Sequence, residues 1–227
     1  MNDLKAKLEN INARMAAACK KVERDPAEVR LLAVSKRHPA ASIRALNQAG
    51  QQAFGENTVQ EAMAKQIELA DLSLEWHFIG PVQSNKTAAI AQNFSWVQSV
   101  DREKILRRLS SQRPSHLGRL NICIQVNIDR EAQKSGALAE DVEPLARLAL
   151  ALPGLRLRGL MAIPRAADAR HDPSASFHAT YAIYRELQAA GLPLDTLSMG
   201  MSEDLEQAIA AGSTMVRVGT DLFGSRR

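Results

Sequence analysis

Apolar positions recur every three or four residues through Leu4, Leu8, Ile11, Met15, Cys19 and Val22, a spacing that predicts an amphipathic helix over 4–22. The pattern then changes. Leu31-Leu32-Ala33-Val34-Ser35 is a short apolar run that stops at Lys36, as a strand buried on both faces would. Pro39 stands at a helix-start position, and helical spacing continues to Gly50, a residue suited to ending it. This strand-then-helix cycle repeats. Further strands are predicted at 52–55, 76–79, 96–99, 120–127, 155–161, 195–198 and 215–218. Helices are predicted near 58–70, 83–93, 101–112, 137–152, 174–190 and 203–211, with Asp101 as an N-cap and Gly191 as a stop.

Eight strands alternating with helices imply a parallel sheet, and eight units favour its closure. The expected fold is α/β, a (β/α)8 TIM barrel with an extra N-terminal helix, formed by 1–227 as one domain. An open doubly wound sheet is the other architecture this pattern allows. The longest irregular stretch, Pro164 to Pro173, is polar and is expected to be a mobile loop over one face.

Composition narrows the function classes. The formal net charge of +4 comes from scattered residues, among them Arg107, Arg108, Arg113, Arg119, Arg156, Arg158, Arg226 and Arg227. A nucleic-acid surface needs clustered bases, and single-strand binding also needs aromatic platforms, yet aromatics are only 4% of the chain. The excess is therefore expected to be solvated surface, with no nucleic-acid partner. No apolar run is long enough to span a bilayer, and the N-terminus has no signal-peptide pattern, so a cytoplasmic protein without a membrane partner is expected. Cys19 and Cys123 lack partners at metal-ligand spacing, and Cys123 between Ile122 and Ile124 is expected to be a small buried hydrophobe.

In a (β/α) barrel the chemistry collects at the C-terminal ends of the strands, with phosphate often held after strands seven and eight. Strand one ends at Lys36, beside Arg37. Partial burial and a neighbouring cation favour the free, nucleophilic amine of such a lysine, although position alone does not separate it from a solvent-facing one. Strand seven ends in Ser198-Met199-Gly200-Met201-Ser202 just before a helix, a combination of hydroxyls and free N–H groups that suits an oxyanion. It equally suits an ordinary capped turn. Strand eight ends in Arg217-Val218-Gly219-Thr220, and alternation puts Met215, Arg217 and Gly219 on one side. If that side is the interior, Arg217 needs an acceptor or a carboxylate. Together an amine, two adjacent phosphate-suited turns and an inward arginine match pyridoxal 5′-phosphate (PLP).

At these residues the chain resembles the PLP homeostasis protein family, which is similar to the N-terminal barrel domain of alanine racemase. The resemblance runs through AVSK (33–36), FGEN (54–57), WHFIG (76–80), QSNK (83–86), SVD (99–101), QVN (125–127), KSG (134–136), GLM (159–161), SMGMS (198–202) and RVGTDLFG (217–224). It implies that Lys36 forms the Schiff base with PLP and that Ser198, Ser202, Gly219 and Thr220 hold the phosphate. Arg217 then faces the pyridine nitrogen, and Asn57 and His77 belong to the pocket wall. Two positions depart from the family pattern: His38 stands where many members have a second lysine, and Thr58 where many have tyrosine. Trp76 and Phe78 are expected to pack outward while His77 and Ile79 face in. Lys86 and Lys134 are expected to be solvated loop lysines.

The resemblance implies PLP homeostasis with little or no catalysis, a monomer, and transient apo-PLP-enzyme clients. An arginine at the ring nitrogen opposes the protonation that makes PLP a strong electron sink. The related racemases complete their site with a second domain, for which a chain ending at Arg227 has no room. A PLP-dependent amino-acid racemase remains the alternative and would require a tyrosine or cysteine opposite Lys36. Tyr181 and Tyr184 fall on a predicted helix instead. A PLP-independent Schiff-base aldolase is a further alternative, but it leaves the SMGMS and RVGT turns without a purpose.

Overall fold

The structure, a computed structural model, describes residues 2–165 and 172–224. Helix α1 (Asn2–Lys21) is followed by strands β1 (Arg30–Val34), β2 (Ala53–Glu56), β3 (Glu75–Phe78), β4 (Trp96–Val100), β5 (Leu120–Val126), β6 (Leu155–Ala162), β7 (Thr196–Ser198) and β8 (Met215–Val218). Between and after them lie α2 (Ala40–Gln48), α3 (Val59–Glu68), α4 (Thr87–Asn93), α5 (Glu103–Gln112), α6 (Ala139–Ala151), α7 (Ser174–Ala189), α8 (Leu205–Ala210) and α9 (Thr220–Phe223). The strands close in sequence order into a parallel barrel, β1 pairing with both β2 and β8. The (β/α)8 expectation holds, and the open sheet does not occur.

Two apolar layers account for the closure. Outward-facing strand residues such as Ala33, Phe54, Trp76, Phe78 and Val97 join the buried helix faces in one large core. Trp76 packs on Phe54, and Phe78 meets Phe94 edge-on with centroids 5.3 Å apart. Inside the barrel, Leu32, Ala53 and Met215 cluster with Ile79, while Trp96, Cys123 and Met161 form a second group. Cys123 is thus the small buried hydrophobe expected, and burial pushes its thiol up to about 12. Helix α1 buries Leu8, Ile11, Met15 and Cys19, the face its spacing predicts.

Glycines stop two helices as read: Gly50 and Gly191 adopt φ of 103° and 84° just past α2 and α7, a region costly for residues bearing a Cβ. Asp101 is not an N-cap. Helix α5 begins at Glu103 with Arg102 in the cap position, and Asp101 accepts from the Arg102 guanidinium instead. The turn at 83–86 is not helical, so α4 starts later than its apolar spacing suggests. The one-turn α9 went unpredicted because four residues carry too little periodicity. Part of the predicted Pro164–Pro173 loop, residues 166–171, lies outside the described residues.

Several cations expected to be solvated are structural. Arg113 donates to the carbonyls of Ala91, Phe94, Leu117 and Gly118. Arg158 pairs with Asp195 and covers the Trp96 ring at 4.5 Å. Lys134 pairs with Glu131 and donates to the Pro164 carbonyl, joining the loops that follow β5 and β6. No helix among the described residues is long and apolar enough to cross a membrane.

Candidate functional site

Strand register decides what meets at the mouth. Ala33 lies opposite Val218, so the turn holding Lys36 follows β1 directly beside the Gly219–Thr220 turn that follows β8. A Cβ added at Gly219 would come within 3.3 Å of the Val34 carbonyl oxygen, which shows how closely these strand ends approach. The neighbouring β7 ends at Ser198 and leads into Gly200, held at φ 93°. There a Cβ would lie 2.5 Å from that of Ala208, so this turn cannot carry a side chain at Gly200 without moving α8. The Asp221 N–H donates to the Ser202 hydroxyl at 3.4 Å and joins the two turns. Lys36, Ser202, Gly219 and Thr220 are therefore brought together on one rim, with Asn57 exposed at the end of β2.

A buried ionic cluster holds the backbone on both sides of Lys36. Glu61 and Lys65, one turn apart on α3, pair at 2.7 Å, and Lys65 also pairs with Glu56 at 2.7 Å. Lys65 Nζ donates to the Ser35 carbonyl, the Ser35 hydroxyl donates to Glu56, and the Arg37 N–H donates to Glu61. Arg37 sits at φ 64°, in the left-handed region that non-glycine residues seldom adopt, and the bond to Glu61 holds it there. His38 stacks on Phe223 with centroids 4.7 Å apart, so the turn is also packed against α9. Burial raises the Glu56 carboxyl above its ordinary value despite Lys65 and Ser35. Burial also acts on Glu61, but Lys65 and the Arg37 N–H hold its carboxyl below that value. The i,i+4 spacing of Glu61 and Lys65 was the sequence signal for this cluster, but only the fold shows that it faces Ser35.

The side that Arg217 shares with Met215 is the interior one, and Arg217 is 4% exposed. Its partners are neutral acceptors: Nη1 donates to the Ser198 carbonyl at 2.7 Å and hydroxyl at 2.9 Å, and Nη2 donates to the Ala162 carbonyl at 2.8 Å. Burial lowers its pKa to about 10, so it stays charged at neutral pH. Below it a polar chain crosses the barrel. The Ser198 hydroxyl donates to Gln98 Oε1 at 2.7 Å, and Gln98 Nε2 donates to His77 Nδ1 at 2.9 Å. His77 Nε2 then meets Glu75 at 2.8 Å, and Glu75 pairs with Arg30 at the far end. Arg217 and Ser198 are thus linked to His77 beneath the mouth rather than ranged beside it. Gln98 was missed, although a glutamine alternating with Trp96 in an otherwise apolar strand was a legible signal.

The chain has one consistent polarity. With Gln98 donating to Nδ1, His77 is neutral and carries its proton on Nε2. Burial lowers the His77 pKa, whereas Glu75, which burial alone would raise, is pulled down to about 2 by His77 and Arg30. A histidine whose folded pKa lies below its unfolded value contributes full stability above about 6.5 and loses it as pH falls below that point. Unfolding by urea should show lower stability at pH 5.5 than at pH 7.5. His77→Gln should flatten that slope, and an unchanged slope in the variant would mean that another group carries it.

The family described as "Alanine racemase, N-terminal domain" matches residues 6–227. The pyridoxal phosphate homeostasis protein of Pseudomonas aeruginosa is 55% identical over 227 residues, covering 100% of this chain and 97% of that one. The protein of the same name from Escherichia coli is 45% identical over 236 residues, covering 100% and 98%. The chain belongs to the pyridoxal phosphate homeostasis protein family. PipY of Synechococcus elongatus, solved with PLP bound, superposes with a TM-score of 0.81 at 39% identity, over 94% of this chain and 100% of that one. The alanine racemase of E. faecalis superposes with a TM-score of 0.71 at 15% identity over 99% of this chain and 59% of the enzyme, a likeness of fold alone. The barrel common to these family members is the one whose mouth carries Lys36 and the two turns.

Proposed function

We propose that this chain is a PLP carrier, holding the cofactor covalently on Lys36 and supplying or buffering it for apo-enzymes that engage it transiently. In this reading it works as a monomer in the cytoplasm, needs neither nucleic acid nor membrane, and has little or no catalysis of its own. The observation that carries the reading is the meeting, on one rim, of the β1 end at Lys36 with two glycine-containing turns joined through Ser202 and Asp221. The donor set fits the cofactor. Bound there, PLP supplies an aldehyde that condenses with a primary amine.

Each residue then has a distinct task. Lys36 offers the amine. The N–H groups of the Gly219 and Thr220 turn, with the hydroxyls of Thr220 and Ser202, face the phosphate, and Asn57 lines the rim. Arg217 can only donate a hydrogen bond, so it does not hold a proton on the ring nitrogen as a carboxylate would. Ser198 and, through Gln98, His77 keep that guanidinium in place. The racemase reading needs a second acid–base group across from Lys36. The chain's two tyrosines both lie on α7, and its two cysteines are buried in α1 and in the barrel interior.

The test is to load the purified chain with PLP, reduce it with borohydride and map the modified peptide. The label is expected on Lys36, and unreduced protein is expected to reactivate a PLP-dependent apo-enzyme. L-Alanine incubated with the loaded chain should keep its chirality. Turnover at an enzyme-like rate would replace the carrier reading with the racemase, and label spread over many lysines would end both.

A further inference from the structure

We propose that Arg14, on the N-terminal helix, is a positioning residue for the two phosphate-facing turns, so that phosphate recognition depends on a helix outside the β/α repeat. The proposal rests on the carrier reading above, in which those turns meet the phosphate of PLP.

Arg14 joins three elements at once. Its Nε and Nη2 donate to the two carboxylate oxygens of Glu206 on α8 at 2.7 and 3.0 Å. Nη1 donates to Asp221 on α9 at 2.6 Å, and Nη2 also donates to the Ser202 carbonyl at 2.9 Å. The guanidinium therefore grips the turn after β7 at Ser202 and the turn after β8 at Asp221, one residue beyond Thr220. Only a planar fork with several fixed donors can hold a bidentate carboxylate, a second carboxylate and a carbonyl together.

The turns need such a tie. Strand β7 has three residues, α8 six and α9 four, and none of these helices has a side-chain cap bond. Gly200 and Gly219 leave the backbone of both turns permissive. Among the described residues, beside the weak Asp221–Ser202 bond and the Arg217 N–H donating to the Gly200 carbonyl, Arg14 is the tie that reaches from these turns back to a long helix. Its role is separable from holding α1 in place, because Leu8, Ile11, Met15 and Cys19 bury the helix face whatever stands at 14. Arg14 touches no reacting atom in this scheme. It acts through Ser202 and Asp221.

Comparing PLP with pyridoxal, which has the same ring and aldehyde but no phosphate, isolates the effect. Equilibrium binding of both would be measured on the full-length chain, on Arg14→Ala and on Arg14→Lys. Arg14→Ala is expected to weaken PLP about tenfold, which is about 1.4 kcal/mol, while pyridoxal changes by less than about twofold. Inorganic phosphate should also compete less well with PLP on that variant. Arg14→Lys should restore only part of the loss, since an ammonium cannot span all three partners. Equal weakening of both ligands, or weakening of neither, would overturn the proposal. Should Arg14→Ala fail to fold, Asp221→Asn removes only the α9 share of the tie, and an unchanged PLP-to-pyridoxal ratio there would overturn it equally. A wild-type chain with no preference for PLP over pyridoxal ends the phosphate reading, whereas an undiminished preference in Arg14→Ala ends the Arg14 proposal alone.

Discussion

Replacing Lys36 by alanine is expected to abolish covalent capture of PLP and weaken its equilibrium binding on the order of a hundredfold, or about 2.7 kcal/mol. Position carries this expectation, and two other amines, those of Lys65 and Lys134, are committed elsewhere. Lys65 has its ammonium committed to Glu56, Glu61 and the Ser35 carbonyl and is buried behind β1 and β2. Lys134 is committed to Glu131 and Pro164 across the loops after β5 and β6. Lys36 stands in the turn that follows β1, and that turn abuts Gly219. The substitution should leave the fold intact, since no buried core residue is touched. Borohydride trapping, equilibrium dialysis and a urea melt on the same preparation check all three statements. Undiminished trapping in Lys36→Ala would move the amine elsewhere and sink the assignment.

Lys65→Met should be the most destabilising single change at the site, by about 3–5 kcal/mol, because it leaves Glu56 buried without its cation. Glu56 is fully buried, and its Oε2 has no hydrogen-bond partner among the described residues. Loss of Lys65 would also strip the Ser35 carbonyl of its donor and leave Glu61 without its helical partner. Because burial already raises the Glu56 carboxyl, part of the cost would be met by Glu56 taking up a proton, so the loss should be smaller at pH 5 than at pH 8. Adding Glu56→Gln to Lys65→Met should recover stability at pH 8, since a neutral amide costs less to bury than a lone carboxylate. Urea unfolding of the wild type and the two variants at both pH values measures this. A loss below about 1 kcal/mol at pH 8 would show that the cluster is not the support it is taken to be.

The same cluster shows where sequence reasoning ran out. Glu56, Glu61 and Lys65 lie on two different elements, and the peptide they hold belongs to a third. Nothing in their spacing says that α3 turns this face toward Ser35; that depends on how a helix packs on the barrel wall. Lys134 and Arg113 failed as solvated residues for a similar reason, because their acceptors are carbonyls of segments far from them in sequence or exposed only by loop geometry. Asp101 failed as a cap because the last residues before α5 turn through Arg102, a local choice that a one-letter preference does not capture.

Periodicity was sufficient for the barrel, because apolar runs ending in turn residues and helices with one apolar face are imposed by burial on every strand–helix unit alike. Alternation likewise put Met215 with Arg217, and His77 with Ile79 opposite Trp76 and Phe78, since the pleat allows only two sides; that Arg217 faces the interior was decided by the fold. Lys36 and the two turns were legible as strand-end chemistry. Only the tertiary structure decided that they share a rim, that Gln98 links Arg217 to His77 through Ser198, and that Arg14 reaches from the first helix to the last turn. Those contacts join positions as much as 207 residues apart, and they exist because barrel closure brings β8 back against β1. Burial sets a local pattern that sequence records; closure sets distant neighbours that it does not.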